Sequence, residues 1–247
     1  MESCILELPV GYVDRDLYDP RYFYQKETWK YSCVMACQTL MLVYHRHQFS
    51  KIQFDEWFKV ICRSRNPIIQ GFLMEQLCLV IITHDGLHTI APTSIEALPG
   101  SMETEFFLDE PNWGGLINST DHTGHLYLPE MFNYPNVDGA ILCITNRPQK
   151  KAHLYPIQIT LAKGHKDSET CFYEGQWPNW VKRLTDDGWV VESTFVWIDR
   201  KPPMDGVQER RVWVTSSGEH ELNPDHYHWQ IGFQSIDARF ERLNSLA

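Results

Sequence analysis

Apolar and polar positions change their period partway along the chain. From Glu27 to His47, Trp29, Cys33, Met35, Ala36, Leu40, Val43 and Tyr44 recur at helical spacings and predict an amphipathic helix. A second, short helix is expected from Phe54-Asp55 to Cys62. The third, in RNPIIQGFLMEQLCLVIITHDGL, starts at Asn66-Pro67 and stops at Asp85-Gly86, because proline suits the first helical turn and glycine the residue beyond the last. Most of its residues are apolar, so it is expected to be buried on nearly every side. Glu75 is the exception, and a carboxylate buried in such a helix costs several kcal/mol unless it is paired or holds a metal.

From about residue 88 the pattern shifts to short β-like runs broken by Gly, Pro and Asn. The clearest are GHLYLPEM, GAILCIT, HLYPIQITL, GWVVESTFVWI, RRVWV and HWQIGFQSI, with one further helix in WPNWVKRLTDDG and a turn at PPMDG. Helix, strands, helix and strands in that order predict an α/β or α+β fold with a mixed sheet. Residues 1–24 are rich in Asp, Tyr, Pro and Arg without a period and read as an irregular arm. The expected division is an N-terminal arm and helical extension over 1–60 and a main domain over 61–247.

Composition narrows the function classes. At 247 residues the chain can bury a substantial core, and no apolar run approaches the ~20 residues of a membrane span. MESCILELPVGYVDRD has early acids and no basic start, the wrong order for a secretory signal, so an intracellular protein is expected. The seven cysteines are an odd number scattered over a long chain, which points to free thiols in a reducing compartment. A net charge of -10 argues against a general nucleic-acid coat. A local basic patch nevertheless surrounds one stretch, with Arg147, Lys150, Lys151, Lys163 and Lys166.

That stretch, YPNVDGAILCITNRPQKKAHLYPIQITLAKGH, places Asp138 at the mouth of one expected strand and Gln158 and Thr160 at i and i+2 on the next. Side chains alternate along a strand, so Gln158 and Thr160 share a face, and all three residues can meet at one end of a sheet. An acid, an amide oxygen and a hydroxyl there suit Mg²⁺, which takes oxygen ligands and leaves room for water and phosphate.

NPIIQGFLMEQLCL, LYLPEMFNYPNVDGAIL and YPIQITLAKGH together resemble the nuclease-like domain of Crinkler effectors and retrotransposon-hot-spot proteins, a branch of the PD-(D/E)XK restriction-endonuclease-like superfamily. The resemblance spans roughly residues 60 to 200 and implies a restriction-endonuclease-like core, a mixed sheet flanked by helices. It also implies a nuclease that uses Mg²⁺ or Mn²⁺ on nucleic acid, DNA before RNA, and a nuclear location. Residue by residue, Glu75 matches the acid of the first core helix and Asp138 the metal-binding aspartate. Gln158 stands where the second metal-binding carboxylate usually is, and Thr160 where the lysine is. The Ile159 carbonyl would be a further oxygen ligand, and His165 a group for proton transfer or phosphate contact. Gln158 removes a charge and Thr160 a cation, so a noncatalytic module that binds a protein partner on the same fold is the alternative. No P-loop is present, although Crinkler-like domains commonly follow an ATPase module.

Two other constellations carry less. Gln25, Cys33 and the apolar helix after them look like the start of a papain-like or C39-like cysteine peptidase, but the glycine after the cysteine is missing, and core cysteines at 33 and 37 are the simpler reading. His122 with His125, and His220 with His226 and His228, lack the spacing of a zinc motif and read as solvated loop histidines. Trp177, Trp180 and Trp189 could stack bases, yet their spacing favours core packing.

Overall fold

The computed structural model describes residues 51–63, 67–87, 102–117, 124–129, 134–145, 149–161, 167–200, 208–215 and 218–241. The helix expected over 27–47, the arm before it and the PPMDG turn lie outside them. Among the described residues two helices come first, α1 (Lys51–Arg63) and α2 (Pro67–Asp85). Gly86 closes α2 in the left-handed region, φ 72°, with its N–H on the Ile82 carbonyl, a conformation a residue with a side chain adopts at a cost. Then follow β1 (Glu103–Phe107), a one-turn α3 (Gly114–Ile117), β2 (Gly124–Pro129), β3 (Gly139–Thr145) and β4 (Lys151–Ile159).

After β4 the chain turns through α4 (Ser168–Cys171), a π-helical turn (Phe172–Gln176) and α5 (Trp177–Asp186). It ends with β5 (Val190–Asp199), β6 (Gln208–Thr215), β7 (Gly218–Gly232) and a short α6 (Phe233–Ile236). The helical stretch therefore begins at Ser168, nine residues ahead of the expected start at Trp177. The π turn explains the gap: its hydrogen bonding breaks the 3.6-residue period on which the sequence reading depends. ETEFF, too short and acidic for a clear alternation, forms β1, and FQSI leaves the last strand to become helical.

The strands make one seven-stranded mixed sheet in the order β1-β2-β3-β4-β5-β7-β6. β2, β3 and β4 are an antiparallel meander, whereas β4, β5 and β7 run parallel. The parallel step from β4 to β5 crosses over through α5. Pro178 stands in the first turn of that helix. At its end, Gly188 N–H bonds Thr185 O and Trp189 N–H bonds Leu184 O, with Gly188 at φ 79°. This is a Schellman closure, and it turns the chain directly into β5.

Helices cover both faces of the sheet. On one face Phe54, Phe58 and Ile61 of α1 and Met74, Leu77, Cys78 and Ile81 of α2 pack on Ile141, Tyr155, Ile157, Ile159, Val196, Ile198, Trp229 and Ile231. On the other, Trp177, Trp180, Val181 and Leu184 of α5 pack on Tyr127, Leu142, Leu154, Phe195 and Trp197. The spacing i, i+3, i+4, i+7 in α5 is the apolar stripe of a surface helix. Burial of Trp177, Trp180 and Trp189 agrees with the core packing expected for them. The fold is thus α/β, with a mixed sheet between helical layers. The boundary expected between 60 and 61 runs through α1, whose Phe54 and Ile61 join one core with α2 and α6. Among the described residues no helix is long and apolar enough to cross a membrane.

Candidate functional site

The antiparallel pairing of β3 and β4 fixes what the sequence could only suggest. Asp138 immediately precedes β3, and the register pairs Gly139 with Ile157. The start of β3 and the end of β4 therefore lie at one edge of the sheet. The parallel strands β4, β5 and β7 also end at this edge, and open α/β sheets place ligands beyond the carboxyl ends of their strands. Asp138 N–H bonds the Ile157 carbonyl at 2.8 Å. The carboxylate then turns toward β4: Oδ2 accepts the Ile159 backbone N–H at 2.6 Å and the Gln158 amide N–H at 2.7 Å.

Glu75 lies on α2 and senses the Asp138 charge. Burial pushes the Glu75 carboxyl well above its usual range and the Asp138 charge pushes it further, with only a hydrogen bond from Gln76 Nε2 (3.0 Å) opposing them. Burial raises Asp138 to about 7, against the pull of the Ile159 N–H. Cys78, one helical turn after Glu75, has its thiol pushed up by burial first and then by Glu75 and Asp138. The Asp138 charge thus adds to the cost of ionising Glu75, and burial makes both acids favour their protonated forms in the fold.

Thr160 follows at the end of β4, its N–H on the Ile198 carbonyl at 2.9 Å and its side chain buried. Ile157 and Ile159 point into the α2 core while Leu154 points toward α5, so alternation puts Gln158 and Thr160 together on the α5 face, as the sequence predicts. Of the expected site, Asp138, Gln158, Ile159 and Thr160 gather at one end of the strands, with Gln158 and Thr160 on the α5 face, while Glu75 stands on α2, which packs on the other face, and acts on Asp138 through its charge. His165, Lys163, Lys166 and Arg147 lie outside the described residues.

The basic patch does not gather in the same way. Lys150 and Lys151 are exposed at the start of β4. Ile159 is eight residues further on, ~26 Å along an extended strand. Lys150 Nζ donates to the Asp187 carbonyl at 3.0 Å and lies 5.7 Å from the centre of the Trp189 ring. A short spacing in sequence had suggested closeness, but a strand converts it into length. Both lysines therefore stand at the opposite end of β4 from Asp138.

Two histidine expectations are overturned. His226 and His228 are not loop residues but alternate on β7 and are buried, where His226 Nε2 bonds Glu169 Oε1 at 2.8 Å and His228 Nδ1 bonds Glu169 Oε2 at 2.9 Å. Glu169 is 1% exposed. Burial raises its pKa, but the bonds and charge of the two histidines outweigh burial and bring it down to about 2. The spacing His-x-His within an alternating run was the available signal. His125 is likewise buried on β2, 3.4 Å from both Glu103 and Glu105. The side chain of His220 and the whole of His122, Cys33, Cys37 and Gln25 lie outside the described residues.

Among the described residues no three His, Cys, Asp or Glu side chains are placed to hold a metal by themselves. The group around Asp138 is different in kind: two carboxylates, an amide and a main-chain carbonyl. Gln158 turns its amide nitrogen, not its oxygen, toward Asp138, so an oxygen set suited to a hard divalent cation such as Mg²⁺ or Mn²⁺ would require that amide to turn over. The buried like-charged pair Glu75–Asp138 is the feature that such a cation would neutralise.

A scan against models of known families finds no match, and comparisons with characterised proteins and with solved structures find none either.

Proposed function

We propose that the chain is a divalent-metal-dependent nuclease with a restriction-endonuclease-like core, acting on DNA or RNA as an intracellular, nuclear effector-type or mobile-element-derived protein. The observation that carries this reading is the meeting of Asp138, Gln158 and Ile159 at the carboxyl edge of the sheet, with Glu75 of α2 coupled to Asp138 through its charge. The order of elements supports it: α2, the β2–β3–β4 meander, α5 and the parallel β5 are a mixed sheet flanked by helices.

Asp138 and Glu75 would hold the metal, with the Ile159 carbonyl and the Gln158 amide oxygen completing the protein ligands. A bound Mg²⁺ or Mn²⁺ would supply Lewis acidity toward phosphate oxygen and would lower the pKa of a coordinated water. The chain's own part is positional. The Ile159 N–H locks Asp138 Oδ2 in place, while burial makes the pair costly to ionise without a cation. The Thr160 hydroxyl, at the same edge, would contact water or phosphate, and His165, five residues later in sequence, would serve proton transfer or phosphate contact.

A second reading, a noncatalytic module that binds a protein partner, has one observation in its favour. The Gln158 amide donates to Asp138, so the site can satisfy itself with hydrogen bonds in place of a cation. Incubation of plasmid DNA and RNA with the protein and Mg²⁺ or Mn²⁺ decides between the two. Cleavage by the wild type that Asp138→Ala abolishes supports the nuclease. Equal cleavage by both proteins rejects the assigned site, and the absence of both cleavage and nucleic-acid binding supports the interaction module.

A further inference from the structure

Two uncommon pieces of backbone meet just ahead of Asp138. Asn136 is the one residue with a side chain at positive φ, 69°, among the described residues. The Val137 N–H bonds the Pro135 carbonyl at 2.9 Å across it, so Pro135, Asn136 and Val137 close a γ-turn of the hand that is rare and strained. Asparagine tolerates positive φ better than most residues, but such a turn still needs surroundings that hold it. The second piece is the π-helical turn Phe172–Gln176. A π turn carries one residue more than an α-helical turn, which rotates the chain ahead of α5 by about 100°. Phe172 and Tyr173 enter the core, whereas Gln176 faces the γ-turn.

Gln176 grips the turn at two points. Its Nε2 donates to the Pro135 carbonyl at 2.9 Å, and its Oε1 accepts from Asn136 Nδ2 at 3.1 Å. One planar amide thus bridges the backbone of one residue and the side chain of the next, which favours the conformation in which both bonds form. The chain on either side is fixed as well. Tyr134 packs on Phe107 and Trp180 and its hydroxyl donates to the Asp109 carbonyl, while Val137 is fully buried. Two residues after the strained position, Asp138 gives its N–H to Ile157 and takes the Ile159 N–H on its carboxylate. A relaxed Asn136 would change the direction in which the chain enters β3, and the Asp138 carboxylate stands at that entry.

We propose that Gln176 is a positioning residue for Asp138: through the γ-turn at Asn136 it sets the angle at which the carboxylate meets β4. The functional part of this inference rests on the metal-dependent reading above, in which Asp138 is a ligand. Gln176 acts through Pro135 and Asn136 and is not itself a ligand. The strained turn is held by the crossover between β4 and β5 rather than by the sheet alone, so the π turn becomes part of the site's support.

Amide hydrogen exchange of the full chain, followed by NMR, tests the placement without metal or activity, because the bond to Asp138 protects the Ile159 N–H. The proteins are the wild type, Gln176→Ala, Gln176→Glu, Asp138→Ala as the measure of a lost acceptor, and Glu174→Ala as an exposed control on the same π turn. Gln176→Ala is expected to raise exchange at Ile159 about tenfold, toward the Asp138→Ala rate, while amides at the centre of the sheet keep their wild-type rates and Glu174→Ala changes nothing. Gln176→Glu keeps the acceptor for Asn136 and loses the donor to Pro135, so a rise of several-fold is expected; it carries the comparison should the alanine variant not fold. Wild-type exchange at Ile159 in both Gln176 variants overturns the proposal, as does a rise spread evenly over the sheet. Mn²⁺ titration by calorimetry then separates the two readings. Weaker binding in Gln176→Ala supports both, and binding at wild-type strength rejects the role of Gln176. A wild type that binds no Mn²⁺ while Ile159 still responds upholds the clamp on Asp138 and rejects the metal site.

Discussion

The Asp138 carboxylate accepts the backbone N–H of Ile159 at 2.6 Å, so the acid is tied to the main chain of the strand that carries Gln158. A main-chain donor cannot be removed by changing a side chain. Variation at Gln158 therefore alters the charge of the site while this anchor stays in place.

Gln158→Glu is expected to act in opposite directions with and without metal. In metal-free buffer it replaces an amide donor by a third acid beside Asp138 and Glu75, which costs roughly 1 to 3 kcal/mol in unfolding free energy. With Mg²⁺ present the added charge tightens binding. Thermal melts at rising Mg²⁺ should cross, the variant starting below the wild type and gaining more; parallel curves would contradict the oxygen-ligand role of Gln158.

The pH dependence of stability reports on Asp138. Its carboxyl is raised in the fold from 3.8 to about 7, so the folded chain holds a proton that the unfolded chain gives up. The associated stability is complete below about pH 3.8 and is lost as pH rises through about 7. Asp138→Asn should show a shallower decline, since Glu75, raised first by burial, still loses its proton, and above neutrality it should exceed the wild type in urea denaturation by roughly 2 to 4 kcal/mol. Added Mg²⁺ should restore the wild type and leave the variant unaffected.

Glu169 behaves in the reverse sense. Its folded pKa lies near 2, below the usual 4.5, so its contribution is present above about pH 4.5 and is lost as pH falls through 2. Glu169→Gln should remove that acid-dependent term. At neutral pH it should cost roughly 3 to 5 kcal/mol, because His226 and His228 lose a buried anion that accepts from both. Denaturant melts at neutral and acid pH would measure both effects.

His153 gives a third window. Burial lowers its pKa from 6.5 to about 4, and its Nε2 lies 2.8 Å from Thr194 Oγ1. The unfolded chain then binds the extra proton between those values, and stability rises with pH from about 4 to 6.5. A His153→Asn variant should be less stable at neutral pH but should show a flatter profile across this interval, which denaturation at a series of pH values would detect.

The sequence alone determined the elements whose signal is local. Pro67 and Gly86 bracket α2 because each needs only its own backbone conformation, and the stripe of α5 is visible in Trp177, Trp180, Val181 and Leu184. Alternation also put Gln158 and Thr160 on one face and identified Asp138 as the start of a strand. Tertiary structure decided what those residues meet. Glu75 lies 63 positions before Asp138, and only the packing of α2 under β3 makes them electrostatic neighbours. Gln176 meets Pro135 and Asn136 because the crossover brings the π turn beside the mouth of β3, which leaves no short-range mark in a sequence. His226 and His228 became the buried partners of Glu169 because β7 crosses beneath α4. Lys150 and Lys151, close to Gln158 in number, were carried to the far edge by the length of β4. Period and turn chemistry are properties of a few neighbouring residues, whereas a site is a property of strands brought together, and the pairing energy that joins them is spread over the whole sheet.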